Sequence, residues 1–324
     1  MKWKMLEALK FASSAVGKRA FVPGTTHFLI KDGMVRATNG VIAMAAPIPL
    51  AVECAPEAIP MVKAIANCED ATQLTLLANG KLHIKSGAFK ANIPCTDEIS
   101  AHVDPEGEFY EINGAELVTA VKTVSPFIGT DASRRFCMSV LIKGGSAYAT
   151  NNVTIAQYWF GSPFPLDVVL SSEACEALVK IKEAPVRAQV TKNSITFHYE
   201  SGCWMKSTLM ENEWPLEIDR LFEVKSNPTT IDPVLFEALA KLKPFATDSG
   251  RVYIEEGVVR THADESEGAS YRLQDESIRG IFALEILMLL KDNVDTADLT
   301  LYPNPCTFFG KNLRGILLGQ RERV

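Results

Sequence analysis

The residues best placed to do chemistry in this chain are cations that return at the same place in successive segments. Residues 1–19 hold Lys2, Lys4, Lys10, Lys18 and Arg19 against Glu7 alone. Residues 114–135 hold Lys122, Arg134 and Arg135, and residues 232–251 hold Lys241, Lys243 and Arg251. Lys and Arg spread over recurring positions suit phosphate, because attraction to a polyanion is diffuse and needs no base-specific geometry. Any single lysine also serves simply to solvate the outer face of a helix; recurrence favours a shared basic surface. The bulk charge hides this pattern. Over 324 residues, 33 Lys+Arg stand against 39 Asp+Glu, a net charge of −6 that taken alone argues against a nucleic-acid binder. Net charge says nothing of how charge is distributed.

Arrangements that carry catalysis are missing. The sequence has no G-x-x-x-x-G-K-[ST], no G-x-G-x-x-G after a strand, no H-E-x-x-H and no G-x-S-x-G. The five histidines lie far apart, and His262-Ala263-Asp264 has no third ligand near it in sequence. The run Asp264-Glu265-Ser266-Glu267 reads as a solvated loop. No catalytic residue, metal or cofactor is therefore expected. Seven cysteines (54, 68, 95, 137, 175, 203, 306) are scattered singly with no C-x-x-C, which suits buried free thiols in a reducing compartment. The start, MKWKMLEALKFASSAVG, imitates a signal peptide, but Glu7 and Lys10 interrupt its apolar stretch. No uncharged apolar run approaches the ~20 residues that span a bilayer. A cytoplasmic protein without a membrane partner is expected.

The elements that must position the cations repeat as well. Leu29-Ile30-Lys31 returns as Leu141-Ile142-Lys143, and Ala37-Thr38-Asn39 as Ala149-Thr150-Asn151. Lys10, Ser13 and Gly17 return as Lys122, Ser125 and Gly129, at the same constant offset, and Gly33, Gly145 and Gly257 carry that offset into a third copy. Each copy opens with apolar residues at helical spacing: Met5, Leu9, Ala12, Val16; Leu117, Val121, Val124, Ile128; Leu235, Leu239, Leu242, Ala246. Short β-rich runs follow (Phe28–Ile30, Val140–Ile142, Arg251–Ile254), with turns at Asp32-Gly33, Gly144-Gly145 and Glu256-Gly257. A second helix lies midway, over Pro56–Ala66, Ser172–Ile181 and Ala283–Lys291, and a further strand pair closes each unit. The class is α+β: three repeated domains, each with two helices packed on antiparallel sheets. Polar turn-forming stretches near residues 105 and 228 set the domains at 1–105, 106–228 and 229–324.

This pattern resembles the bacterial DNA polymerase III β sliding clamp family, in a divergent phage- or plasmid-type form. The resemblance spans the whole chain. It rests on three domains of this length, the repeated Ala-Thr-Asn, the segment Trp214-Pro215…Arg220-Leu221, and the closing strand Gly315–Arg321. It implies a head-to-tail homodimer ring that encircles double-stranded DNA without sequence specificity. Such a ring tethers a replicative polymerase, with the clamp loader also engaged through short peptides, and works in the nucleoid or, if phage-encoded, in the host cytoplasm. The DNA-binding residues it implies are Lys10, Lys18, Arg19, Lys122, Arg134, Arg135, Lys241, Lys243 and Arg251. The partner-peptide cleft would comprise Thr150, Ile155, Pro215, Arg220, Leu221, Leu317, Leu318 and Arg321, although its apolar members could equally be plain core. The ring interface would involve Phe89 and Phe245, where an aromatic could also be core. The sequence departs from the family at Asn151-Asn152-Val153-Thr154, at Leu318-Gly319 and at Arg134-Arg135-Phe136, where paired tyrosines are common. An alternative is a clamp-fold interaction protein that binds polymerase or loader peptides without encircling DNA.

Overall fold

A computed structural model describes residues 2–19, 22–69, 72–98, 103–211, 213–215 and 217–320. The first repeat contains α1 (Lys2–Ser13), β1 (Leu29–Lys31), β2 (Met34–Thr38), β3 (Ile42–Pro47), α2 (Ala58–Asn67), β4 (Gln73–Leu76), β5 (Lys81–Ser86) and β6 (Phe89–Pro94). The second contains β7 (Glu108–Glu111), α3 (Gly114–Val124), β8 (Ser139–Lys143), β9 (Ser146–Thr150), β10 (Thr154–Trp159), β11 (Val168–Ser171), α4 (Ser172–Lys180), β12 (Arg187–Val190), β13 (Ser194–His198) and β14 (Trp204–Thr208). The third contains β15 (Thr229–Thr230), α5 (Pro233–Leu242), β16 (Arg251–Glu255), β17 (Val258–Arg260), β18 (Ser270–Arg272), β19 (Gly280–Ala283), α6 (Leu284–Leu289), β20 (Thr296–Asp298), β21 (Cys306–Gly310) and β22 (Leu313–Leu317). Among the described residues two α-helices fall in each repeat and the strand pairs are antiparallel, so the class is α+β as the periodicity predicts. Among the described residues no helix is long and apolar enough to cross a membrane.

The apolar faces of the first helices are buried as their spacing requires: Met5, Leu9 and Ala12 on α1, Leu117, Val121 and Val124 on α3, Leu235, Leu239 and Leu242 on α5. Each helix stops one turn before the fourth apolar position. In the second and third repeats the cause is a proline, Pro126 or Pro244, which lacks an N–H and turns the backbone into the 3₁₀ turns Ser125–Phe127 and Lys243–Phe245. α5 starts as its sequence dictates: Asp232 Oδ1 accepts from Val234 N at 2.9 Å, with Pro233 in the first turn.

The Ala-Thr-Asn motif is a turn staple. Asn39 Oδ1 accepts from the N–H groups of Val41 and Ile42, both at 3.0 Å, and Asn151 Oδ1 accepts from Val153 (3.1 Å) and Thr154 (2.8 Å). Thr38 Oγ1 and Thr150 Oγ1 each donate to the carbonyl four residues on, Ile42 O at 3.0 Å and Thr154 O at 2.8 Å. Side-chain bonds of this kind fix a reversing backbone locally, which is why the triplet returns wherever the hairpin returns. The hairpin turns Asp32-Gly33 and Glu256-Gly257 take positive φ at both residues, the conformation that suits a two-residue connection.

Sheet pairing crosses the repeat boundaries. One sheet runs β1-β2-β3-β14-β13-β12-β7, joining strands of the first two repeats, and another runs β11-β8-β9-β10-β22-β21-β20-β15, joining the second and third. Two smaller sheets, β4-β5-β6 and β18-β17-β16-β19, draw on one repeat each. Packing accordingly divides the chain into two compact units: residues 1–118 with 173–210, and residues 119–172 with 211–324. The strands of the second repeat are shared between them.

Candidate nucleic-acid and partner interface

Lys10, Lys18 and Arg19 are exposed, on α1 and in the loop that follows it. Lys122 on α3 is exposed too, as are Arg134 and Arg135 in the loop before β8. That loop is shaped by Asp131, whose Oδ1 accepts from Ser133 N (2.9 Å) and Ser133 Oγ (2.6 Å); these bonds, with Arg134 nearby, hold its carboxyl below the usual range. The third repeat differs. Lys241 Nζ sits 5.0 Å from the centre of the Tyr271 ring, Lys243 Nζ lies 2.9 Å from Glu285 Oε1, and Arg251 is half-buried, its Nε donating to Gln320 Oε1 at 2.7 Å. The connection from α5 to β16 is also shorter than that from α3 to β8, so nothing in it corresponds to Arg134 and Arg135. Phosphate attraction falls where a cation already has a carboxylate. The three basic segments are therefore unequal: in the third, the lysines stand against Tyr271 and Glu285, and Arg251 is half-buried.

The cleft residues are set out at the β10–β22 junction. Thr154 faces Leu317 across the ladder, Ile155 faces Ile316, and Leu318 N donates to Val153 O at 2.8 Å. The 3₁₀ turn Ile218–Phe222 lies against β22 and carries Asp219, Arg220 and Leu221. Leu221 and Leu318 are 49% and 42% exposed, Ile155 is half-buried, and Pro215 and Arg220 are exposed. Arg220 Nη1 pairs with Glu217 Oε2 at 2.6 Å. Thr150 and Leu317 belong to the interior, at 7% and 0% exposure, and the Thr150 hydroxyl is occupied by the hairpin it staples. Large aliphatic groups left in water beside an arginine suit an extended, partly apolar ligand. Arg321 lies outside the described residues.

Phe89 is half-buried on β6, an edge strand, and Phe245 is 56% exposed. Phe127, which holds the same place in the second repeat's 3₁₀ turn, is fully buried and stacks on Phe308 with ring centres 5.6 Å apart. No group of three or more His, Cys, Asp or Glu among the described residues could hold a metal ion.

Sequence reasoning did not single out Tyr148, Gln157 and Arg314, which underlie the turn Ile218–Phe222. The signal was faint. Tyr148 holds the repeat position of Arg36, and both side chains reach an aspartate of the connecting segment that leaves their own repeat: Tyr148 Oη to Asp219 Oδ1 at 2.8 Å, Arg36 Nε to Asp104 Oδ1 at 3.9 Å.

Three antiparallel helix-and-sheet repeats sharing sheets across their boundaries define the class: the chain has the fold of the DNA polymerase III β sliding clamps. The DnaN sliding clamp of Bartonella birtlesii, bound to griselimycin, superposes with a TM-score of 0.83 at 15% identity, over 99% of this chain and 98% of that one. The Pseudomonas aeruginosa DnaN clamp, also bound to griselimycin, gives 0.82 at 14% identity, and the Thermotoga maritima β subunit 0.81 at 16%, with the same coverage. No protein-family model and no curated protein matches the sequence.

Proposed function

We propose that this chain is a DNA sliding clamp: a processivity factor that encircles duplex DNA without reading sequence and tethers a replicative polymerase. Its three domains would be 1–105, 106–228 and 229–324. The observation that carries the proposal is the pattern of sheet closure. At both junctions between repeats, the last strand of one repeat's first half-sheet (β3, β10) pairs with the last strand of the next repeat's second half-sheet (β14, β22). Two such strands remain, β18 of the third repeat and β6 of the first, and both are sheet edges. An open edge is a template for pairing. A second copy supplies the missing partner at each end, β18 to β6 and β6 to β18, so head-to-tail association of two chains satisfies every junction and closes. Phe89 on β6 and the exposed Phe245 would then be covered at the seam.

The helix and loop cations Lys10, Lys18, Arg19, Lys122, Arg134 and Arg135 would face phosphate, with Lys241, Lys243 and Arg251 contributing less. Processivity would come from topology rather than catalysis, so modest attraction is enough and the acidic remainder discourages unproductive binding. Ile155, Pro215, Arg220, Leu221, Leu318 and Arg321, over a floor of Thr150 and Leu317, would receive short peptides of the polymerase and the clamp loader. Griselimycin, which two of the similar clamps bind, would rest on the exposed aliphatic groups of that cleft and so serve as its probe. Work on DNA would put the protein in the cytoplasm, at the nucleoid or a phage genome.

Retention on nicked circular duplex, followed by cutting the circle, tests the proposal. Protein that stays on the circle and leaves once it is linearised supports encirclement. Equal retention on both forms, or none on either, would mean a clamp-fold protein that binds partners without encircling DNA.

A further inference from the structure

Beneath the turn Ile218–Phe222, side chains on β9, β10 and β22 form one relay. Arg314 Nε donates to Gln157 Oε1 at 2.6 Å. Gln157 Nε2 donates to Ser146 Oγ and to Tyr148 Oη, both at 2.9 Å, and the Tyr148 hydroxyl donates onward to Asp219 Oδ1 at 2.8 Å. The Arg314 guanidinium lies 4.6 Å from the centre of the Phe222 ring, and Lys143 Nζ stands 4.0 Å from Asp219 Oδ2. Ser146, Tyr148 and Gln157 are at most 8% exposed, while Asp219, Arg220 and Leu221 are exposed. The turn is thus gripped at Asp219 and at Phe222, on either side of Arg220 and Leu221. A buried polar chain is costly unless its last member is satisfied, and here the terminal acceptor is a carboxylate of the turn itself. The apolar alternative at these positions would leave the turn resting on Phe222 and its own backbone bonds, Arg220 N to Glu217 O (3.0 Å) and Glu223 N to Arg220 O (3.2 Å).

We infer that Tyr148, Gln157 and Arg314 are positioning residues for the partner cleft, fixing the turn Ile218–Phe222 so that Arg220 and Leu221 are held in place before a ligand arrives. The inference rests on assigning Arg220 and Leu221 to that cleft. Preorganisation of this kind lowers the ordering cost that binding would otherwise carry.

Tyr148→Phe tests it in the full-length chain, since the substitution keeps the buried ring and removes only the hydroxyl. Amide hydrogen exchange at Arg220 and Glu223 should quicken by about tenfold or more. Griselimycin affinity should fall by about fivefold to tenfold. Added to Leu221→Ala, Tyr148→Phe should then weaken binding by no more than about twofold further, because a misplaced leucine and an absent one forfeit the same packing. Asp219→Asn in the otherwise wild-type chain retains an oxygen for the Tyr148 hydroxyl and should keep most of the affinity. Unchanged exchange at Arg220 and Glu223, or affinity losses that multiply independently, would overturn the inference, since burial alone predicts lower stability without that coupling. A wild-type chain that fails to bind griselimycin removes the cleft as the object of positioning, and the exchange arm still decides whether the relay holds the turn.

Discussion

At the β3–β14 junction Ile42 faces Ser207, and Thr208 N donates to Val41 O at 3.1 Å. At the β10–β22 junction Thr154 faces Leu317, and Leu318 N donates to Val153 O at 2.8 Å. These are the same ladder positions in successive repeats, yet the side chains differ. The first junction presents Ser207, Thr208 and Ala43 where the second presents Leu317, Leu318 and Ile155. A groove of about 210 Å³ lies at the first, bordered by Val22, Val41, Val103 and Thr208. Its connecting segment is tied down by charge: Lys206 Nζ donates to Asp104 O (2.8 Å) and to Glu106 Oε1 (2.7 Å). At the second, Tyr148 and Lys143 both reach Asp219, in a turn that carries exposed Leu221. The backbone device is therefore shared by both junctions, and the exposed aliphatic surface of the second comes from a few side chains.

The largest contrast concerns stability. Leu317→Ala should cost about 2–5 kcal/mol, because the side chain is fully enclosed, whereas Ser207→Ala, at the matching position, should cost no more than about 1.5 kcal/mol for one missing hydrogen bond. Urea unfolding of both variants measures the difference; equal losses would show that the junctions are packed alike. Next comes ligand choice. On the proposed cleft, Leu221→Asp combined with Leu318→Asp should lower griselimycin affinity by about a hundredfold or more, while Thr208→Asp at the first junction should change it less than about twofold. A first-junction variant that weakened griselimycin comparably would move the cleft.

A smaller effect separates the basic segments. Charge reversal at Lys18, Arg19, Arg134 and Arg135 should reduce DNA association and its salt dependence, by about 0.9 in log–log slope for each phosphate no longer neutralised. Reversal of Lys241 and Lys243, already engaged by Tyr271 and Glu285, should do less. The smallest effect is acid-dependent. The hydrogen bond and charge of Lys206 hold the Glu106 carboxyl below its ordinary range. A depressed carboxylate contributes stability above its unfolded pKa and loses it as pH falls through the folded one. Lys206→Met should therefore raise the Glu106 titration seen by NMR and flatten the acid limb of stability below about pH 4.3; an unshifted titration would discount the tether.

Much of the fold was legible because local rules carry it. The helical faces, the Asp32-Gly33 and Glu256-Gly257 turns and the Ala-Thr-Asn staples are set by residues a few positions apart. What was not legible depends on partners far along the chain. Nothing in Ser207 or Leu317 announces that β14 pairs with β3 and β22 with β10, so the sharing of the second repeat's strands between two packing units is invisible in the repeat alone. Lys241 and Lys243 look like Lys122 in sequence, and only folding brings Tyr271 and Glu285 to them. The fourth apolar positions, Val16, Ile128 and Ala246, continue a helical period, but in the second and third repeats Pro126 and Pro244 end the helix before it reaches them. Thr150 was legible as a repeated residue; its role in the hairpin became evident from its hydrogen bond to Thr154.

The proposed ring closes two chains on each other through the edges β6 and β18. Electron microscopy of the purified protein, with its mass measured in solution, tests this most directly. A closed pair gives a particle of twice 35.5 kDa with a central hole of duplex width. A chain that remains monomeric at micromolar concentration, with no ring in any image class, would contradict it.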